Sequence, residues 1–156
     1  MQGFFEEKDI TLSLLEKLFR SAQYEASIFG ESDFRVLAET ALVAVDVLAE
    51  NNQRFIRFTS MYKLKDGVEI EKKMDFANGL NNQVALARFS IHENDPVAMN
   101  VEYFLPFWGG ISAYHIIAAF RVFVFVYTSV PSSADKNNII QYGAYPSLTM
   151  SPRLWQ

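Results

Sequence analysis

Apolar residues at Leu12, Leu15, Leu18, Phe19 and Ala22 recur at three- and four-residue steps behind Asp9 or Thr11, either of which can cap a helix. This spacing predicts an amphipathic helix over residues 10–22. From Phe34 to Leu64 the period shortens to two. Val43, Val45 and Val47 share one parity, Ile56, Phe58, Tyr62 and Leu64 share another, and Asn51-Asn52 and Asp66-Gly67 punctuate the run. These are the marks of antiparallel strands. The helical period returns over Val68–Asn82, where Ile70, Met74 and Ala77 align, Phe76 and Leu80 flank them, and Glu69, Glu71, Lys72 and Lys73 face out. Residues 85–92 and 97–105 then alternate around Asn94-Asp95-Pro96, which predicts a hairpin.

Ile111–Val130 is apolar nearly all round. Its entry through Gly109-Gly110, with Ser112 as a cap, and its length favour a third helix ended by Pro131. Such a helix is buried on both sides, so it should lie between the sheet and something else, a second subunit included. Its composition also raises a membrane span, but Arg121 near its middle would cost roughly 2.5–3.5 kcal/mol there. No span is expected.

Together these elements predict an α+β fold with a five-stranded, mainly antiparallel sheet and three main helices, in the order α-β-β-β-α-β-β-α. Residues 1–130 form one domain, consistent with a chain of 156 residues. Residues 131–156 hold Pro131, Pro146 and Pro152 and read as a C-terminal extension docked on the domain or on a neighbouring subunit. Its candidate anchors are Ile139, Ile140, Tyr142, Tyr145, Leu148 and Trp155, with Asn137–Tyr142 able to run along a sheet edge.

Charge narrows the function classes. The net charge is −4, and no cluster of Lys and Arg offers the counterion release on which phosphate binding depends, so nucleic acid is not an expected partner. The absence of cysteine excludes disulfides, thiolate metal sites and cysteine nucleophiles, and fits a cytoplasmic setting. Glu6, Glu7, Lys8 and Asp9 interrupt any export signal at the start of the chain. There is no phosphate loop, nucleophile elbow or dinucleotide fingerprint. His92, Glu93 and Asp95 diverge if they lie on a strand, which argues against a metal site, and His115 reads as a core or interface histidine. An enzyme is not expected, nor is a cofactor.

Asn78 and Asn81, three apart, put their amides on one face near the end of the second helix, a structural arrangement. Gly79 between them suggests close packing or a helix end. The best functional clue is the second parity of the strands. There Leu42, Leu48, Phe55, Met61, Leu86 and Phe104 alternate with Asp46, Arg57, Lys63, Arg88 and Glu102, too apolar a set for a face that meets only water. These apolar residues and Trp108 are the expected partner-binding positions. Phe120, Phe123 and Tyr127 are the expected homodimer interface.

The run Phe76-Ala77-Asn78-Gly79-Leu80-Asn81, followed by Ala87-Arg88-Phe89, Val101-Glu102-Tyr103-Phe104-Leu105-Pro106 and Gly109-Gly110-Ile111-Ser112, resembles the signature of the YbjN family. The opening segment ITLSLLEKLFRSAQYEA is similar to that family's first helix and the turn after it, with Gln23 where glycine is common. The resemblance covers roughly residues 9–130. It implies a fold similar to type III secretion chaperones, a dimeric assembly, a label of sensory transduction regulator, and structural roles for Asn78, Asn81, Gly109 and Gly110. It implies no catalytic residue. The expected function is therefore a non-enzymatic, chaperone-like or regulatory module that binds an extended segment of another protein. The alternative is a sensor holding a small apolar ligand between sheet and last helix, among Phe120, Phe123, Tyr127 and Trp108.

Overall fold

A computed structural model of the chain describes residues 3–29 and 33–142. Six strands form the main sheet: β2 (Glu25–Phe29), β3 (Asp33–Ala38), β4 (Ala41–Glu50), β5 (Gln53–Lys63), β6 (Arg88–His92) and β7 (Asp95–Pro106). They lie in the order β2-β3-β4-β5-β7-β6, and every neighbouring pair is antiparallel. A two-residue ladder joins β1 (Phe4–Phe5) to β8 (Ile111–Ser112). The helices are α1 (Leu12–Ser21), α2 (Ile70–Gln83) and α3 (Ala113–Ala134). The α+β class stands, with six strands in the sheet rather than the expected five. The added one is β2, an edge strand whose short alternation, Glu-Ala-Ser-Ile-Phe, is too weak a pattern to announce itself.

Local chemistry sets the turns. Thr11 caps α1 by accepting from the Leu14 amide at 3.2 Å. The helix closes with Tyr24 N–H bonded to the Phe19 carbonyl and Gln23 N–H to the Arg20 carbonyl, a Schellman pattern, and Gln23 takes the left-handed φ of 67° that this ending demands. Glycine is common there for that reason. Between β4 and β5, Asn51 and Asn52 both have positive φ, as a two-residue hairpin turn requires. The β6–β7 turn lies one step earlier than the alternation suggested: His92 pairs with Asp95 beside a bulge, so Asp95 and Pro96 belong to β7.

All three helices feed one core. Phe34, Val36, Val43, Val45, Ile56, Phe58, Met99 and Val101 carry the sheet's share and are at most 1% exposed. At their centre the Phe19 ring of α1 meets Phe120 of α3 edge-on at 4.7 Å, and Phe120 meets Phe58 of β5 at 5.4 Å. α2 contributes Ala77 and Leu80. Lys73, expected to face out, is 2% exposed and donates to the Pro96 carbonyl at 2.8 Å. Asn81 ties α2 to the sheet edge, donating to the Phe89 carbonyl and accepting from the Phe89 amide, both at 2.8 Å.

Pro131 does not end α3, which runs on to Ala134. A proline inside a helix has no N–H for the carbonyl four residues back, here that of Tyr127. The Tyr62 hydroxyl donates to that carbonyl instead, its ring stacked 4.5 Å from Tyr127, whose own hydroxyl donates to the Met61 carbonyl at 2.8 Å. The break in the helical ladder is thus mended from β5. α3 is also long and apolar enough to cross a membrane by length and composition, with a mean hydropathy of 1.5. In this fold Ile116, Ile117, Phe120, Phe123 and Tyr127 are spent on the core.

Beyond α3 the Asp135 carboxylate accepts from the amides of Ile139 (2.7 Å) and Ile140 (2.9 Å) and turns the chain back. Ile140 then bridges Leu64, Lys65 N–H donates to the Ile139 carbonyl and Gln141 N–H to the Lys63 carbonyl. Ile139 and Ile140 are each 1% exposed, whereas Tyr142 is 55% exposed. Tyr145, Leu148 and Trp155 lie outside the described residues.

Burial pushes the phenols of Tyr62 and Tyr127 above their usual 10.0. A raised folded value means that the neutral hydroxyls stabilise the fold fully below pH 10.0 and that this contribution is lost as pH climbs through the raised values. Unfolding in denaturant at successive pH should therefore show a plateau and then an alkaline decline. Tyr62→Phe, which strands the Tyr127 carbonyl, should lower the plateau by about 1–3 kcal/mol and make the decline shallower.

Candidate functional site

Strand parity places Asp33, Arg35 and Leu37 of β3, Leu42, Ala44, Asp46 and Leu48 of β4, Phe55, Arg57, Thr59 and Met61 of β5, and Glu102 and Phe104 of β7 on the sheet face opposite the core. Among the described residues no helix lays core side chains there. At its centre Arg57 bridges two strands. It donates to both oxygens of Asp46, at 3.1 and 2.6 Å, and to Oε1 of Glu102 at 3.3 Å. All three side chains are only 14–22% exposed. Burial opposes the guanidinium charge, but the hydrogen bond to Asp46 and the attraction of Asp46, Glu102 and Asp33 outweigh it, so the Arg57 pKa is raised. On the same face Arg35 lies 3.9 Å from Asp33, whose carboxyl is pushed up by burial despite that neighbour.

Apolar groups flank this charged band. Phe55 and Phe104 meet edge-on at 6.3 Å, with Leu48 opposite Phe55, and Phe104 is 37% exposed. On the other side stand Leu42 and Leu37, the latter 43% exposed and not singled out by the sequence. The face is thus an ion-paired polar band between two greasy margins.

Four of the expected partner-binding residues, Leu42, Leu48, Phe55 and Phe104, share this face. Met61 shares its parity but is 2% exposed. Leu86 is off the sheet, in the loop between α2 and β6, and is 51% exposed because no strand alternation extends to it. Trp108, 70% exposed, sits in the turn after β7, which also removes it from any pocket under α3. What periodicity could not supply was the pairing: that Asp46, Arg57 and Glu102 meet depends on the register of β4, β5 and β7, not on their spacing in the chain.

Phe120, Phe123 and Tyr127 require a correction. They are 0–8% exposed, pointing into the protomer's own core, so they offer no surface to a second subunit. Around them the core is closely packed, with Phe58 at 5.4 Å from Phe120 and 6.0 Å from Phe123. The exposed side of α3 carries Tyr114, Val122 and Phe125 instead. His115, read as core or interface, is exposed in the first helical turn, where the Ser112 hydroxyl caps its amide at 3.1 Å and meets its Nδ1 at 2.9 Å.

The structural residues divide in the same way. Gly110 has φ of 119°, and a Cβ there would lie 2.4 Å from the Phe5 carbonyl oxygen, so glycine is required for the β1–β8 approach. Gly109, at φ 71°, donates to the Glu7 carboxylate at 3.1 Å. Asn81 makes the fork to β6, whereas Asn78 is exposed. Gly79 neither ends the helix nor packs closely, having nothing within 4 Å of an added Cβ. With Lys72, Asp75, Gln83 and Asn137 it lines a cleft of about 250 Å³ between α2 and the end of α3.

No family model matches the chain. No curated protein matches it in sequence. Its architecture is similar to the crystal structure of YbjN from E. coli, described as a candidate transcription regulator, with a TM-score of 0.65 over 85% of this chain and 96% of that one. Sequence identity between the two is 11%. The fold is therefore YbjN-like.

Proposed function

We propose that the protein is a non-enzymatic, protein-binding module of regulatory or chaperone-like kind, which takes an extended segment of a partner across the open face of its sheet. The observation that carries this is that face: Leu42, Leu48, Phe55 and Phe104 around the half-buried Asp46–Arg57–Glu102 group, with no helix over it among the described residues. A sheet face needed only for solvation would be polar throughout; one with apolar margins and an internally ion-paired centre suits a surface that is covered part of the time. The regulatory label of the structurally similar YbjN agrees with such a role. No cofactor is invoked, and the cytoplasm is the proposed setting.

The test is contact-dependent labelling in the native cell. A photo-crosslinking phenylalanine analogue in place of Phe104 or Phe55 should yield a discrete adduct with one other protein. The same analogue at Leu86, away from the face, should not. Absence of any adduct from both face positions would contradict the proposal.

The proposed assembly is a homodimer built on the outward side of α3. Of its most apolar stretch 44% is buried, and Tyr114, Val122 and Phe125 stand 42–69% exposed beside a single charge, Arg121. Size measured over a concentration series should show a dimer that Phe125→Glu converts to a folded monomer. Phe123→Ala should instead cost about 3–5 kcal/mol of stability, as for a large buried side chain. A monomeric wild type at high concentration would exclude the dimer.

A further inference from the structure

The two edges of the sheet are finished differently. At β6 the Asn81 amide occupies the outward N–H and C=O of Phe89 as a neighbouring strand would. That edge is closed to further pairing at its centre. At the other end of the sheet, β2 pairs with β3 alone, and among the described residues no backbone group bonds its outer side. An edge left this way presents a row of main-chain donors and acceptors to any extended chain.

The side chains around β2 specify what kind of chain. Ala26 and Ile28 stand on the helix side, in register with Val36 and Phe34, and Ile28 is 64% exposed. Glu25 and Ser27 stand on the opposite side, both exposed. Charge at this edge is nearly of one sign. Exposed Glu25 and Glu39 lie at one end of the β2–β3 pair and Asp33 at the other. Of the nearby bases, Arg35 is 5% exposed within the sheet, Arg20 is held by Glu16 at 2.8 Å, and exposed Arg121 donates to the Tyr24 hydroxyl at 3.4 Å on the helix side, away from Glu25 on the opposite side of β2.

We infer that β2 is a strand-addition edge for an extended partner segment whose residues alternate basic and apolar. Its apolar residues would lie beside Ile28 and its basic ones beside Glu25, while main-chain bonds to β2 supply affinity and the alternation supplies selectivity. The occupant meets the edge and not the open face, so this inference stands apart from the proposal above.

Amide hydrogen exchange on the full chain tests it, with a short peptide of alternating lysine and valine as the probe. Exchange at residues 25–29 should slow several-fold when the peptide is present, and an otherwise identical peptide with glutamate for lysine should leave it unchanged. Ile28→Pro, which removes an outward-facing donor of this edge strand, should abolish protection. Glu25→Lys, an exposed change that leaves the fold intact, should weaken the basic peptide and favour the acidic one. Phe104→Glu should leave the protection of β2 as it was, which separates the edge from the face. No slowing at residues 25–29, or equal slowing by both peptides, overturns the inference.

Discussion

The meeting of Phe19, Phe58 and Phe120 is the contact on which the molecule depends. It joins α1, β5 and α3 at one point, through edge-to-face rings 4.7 to 6.5 Å apart. Because each ring comes from a different part of the chain, the helices are locked to one side of the sheet as soon as the cluster forms. Tyr62 and Tyr127 extend the same joint towards the end of α3, and there the tyrosine hydroxyl serves a carbonyl that Pro131 leaves without its helical partner. Asp135 then returns the chain so that Ile139 and Ile140 close the core beside Leu64.

A one-sided core leaves the other sheet face to be stabilised by its own side chains. Here that is done with charge. Three ionised groups at 14–22% exposure would be expensive singly, but Arg57 satisfies two carboxylates at once, and the set spans three strands. The consequence is a face that is held in place by its own ion pairs, with Phe55, Phe104, Leu42 and Leu48 still reachable from outside. Such a surface can be complementary to a partner without being required for folding.

Much of this was legible in the chain. The parity of Val43, Val45, Ile56 and Phe58 against Leu42, Leu48, Phe55 and Phe104 named both faces, and the steps from Leu15 to Phe19 named the buried side of α1. The YbjN-like order of elements was readable from the asparagines, the hairpin and the Gly-Gly turn. What failed did so where the local signal conflicts with a long-range contact. Pro131 reads as a stop because the hydroxyl that rescues it comes from Tyr62, far away in sequence. In α3 the inward and outward sides are almost equally apolar, so nothing in the pattern distinguishes Phe123, in the core, from Phe125, outside it. Lys73 reads as solvated because its acceptor, the Pro96 carbonyl, lies across a loop. Phe55 and Phe104 were visible as apolar positions, but the ion network beside them needed the register of three strands.

The central claim is that folding depends on the helix-side cluster and leaves the opposite face free for binding. Equilibrium denaturation of Phe58→Ala and of the double variant Phe55→Ser with Phe104→Ser measures this directly. The account predicts a loss of about 3–5 kcal/mol for the core substitution and of no more than about 1 kcal/mol for the face pair. A face pair as costly as Phe58→Ala would show that the open face is part of the folding core, and would contradict it.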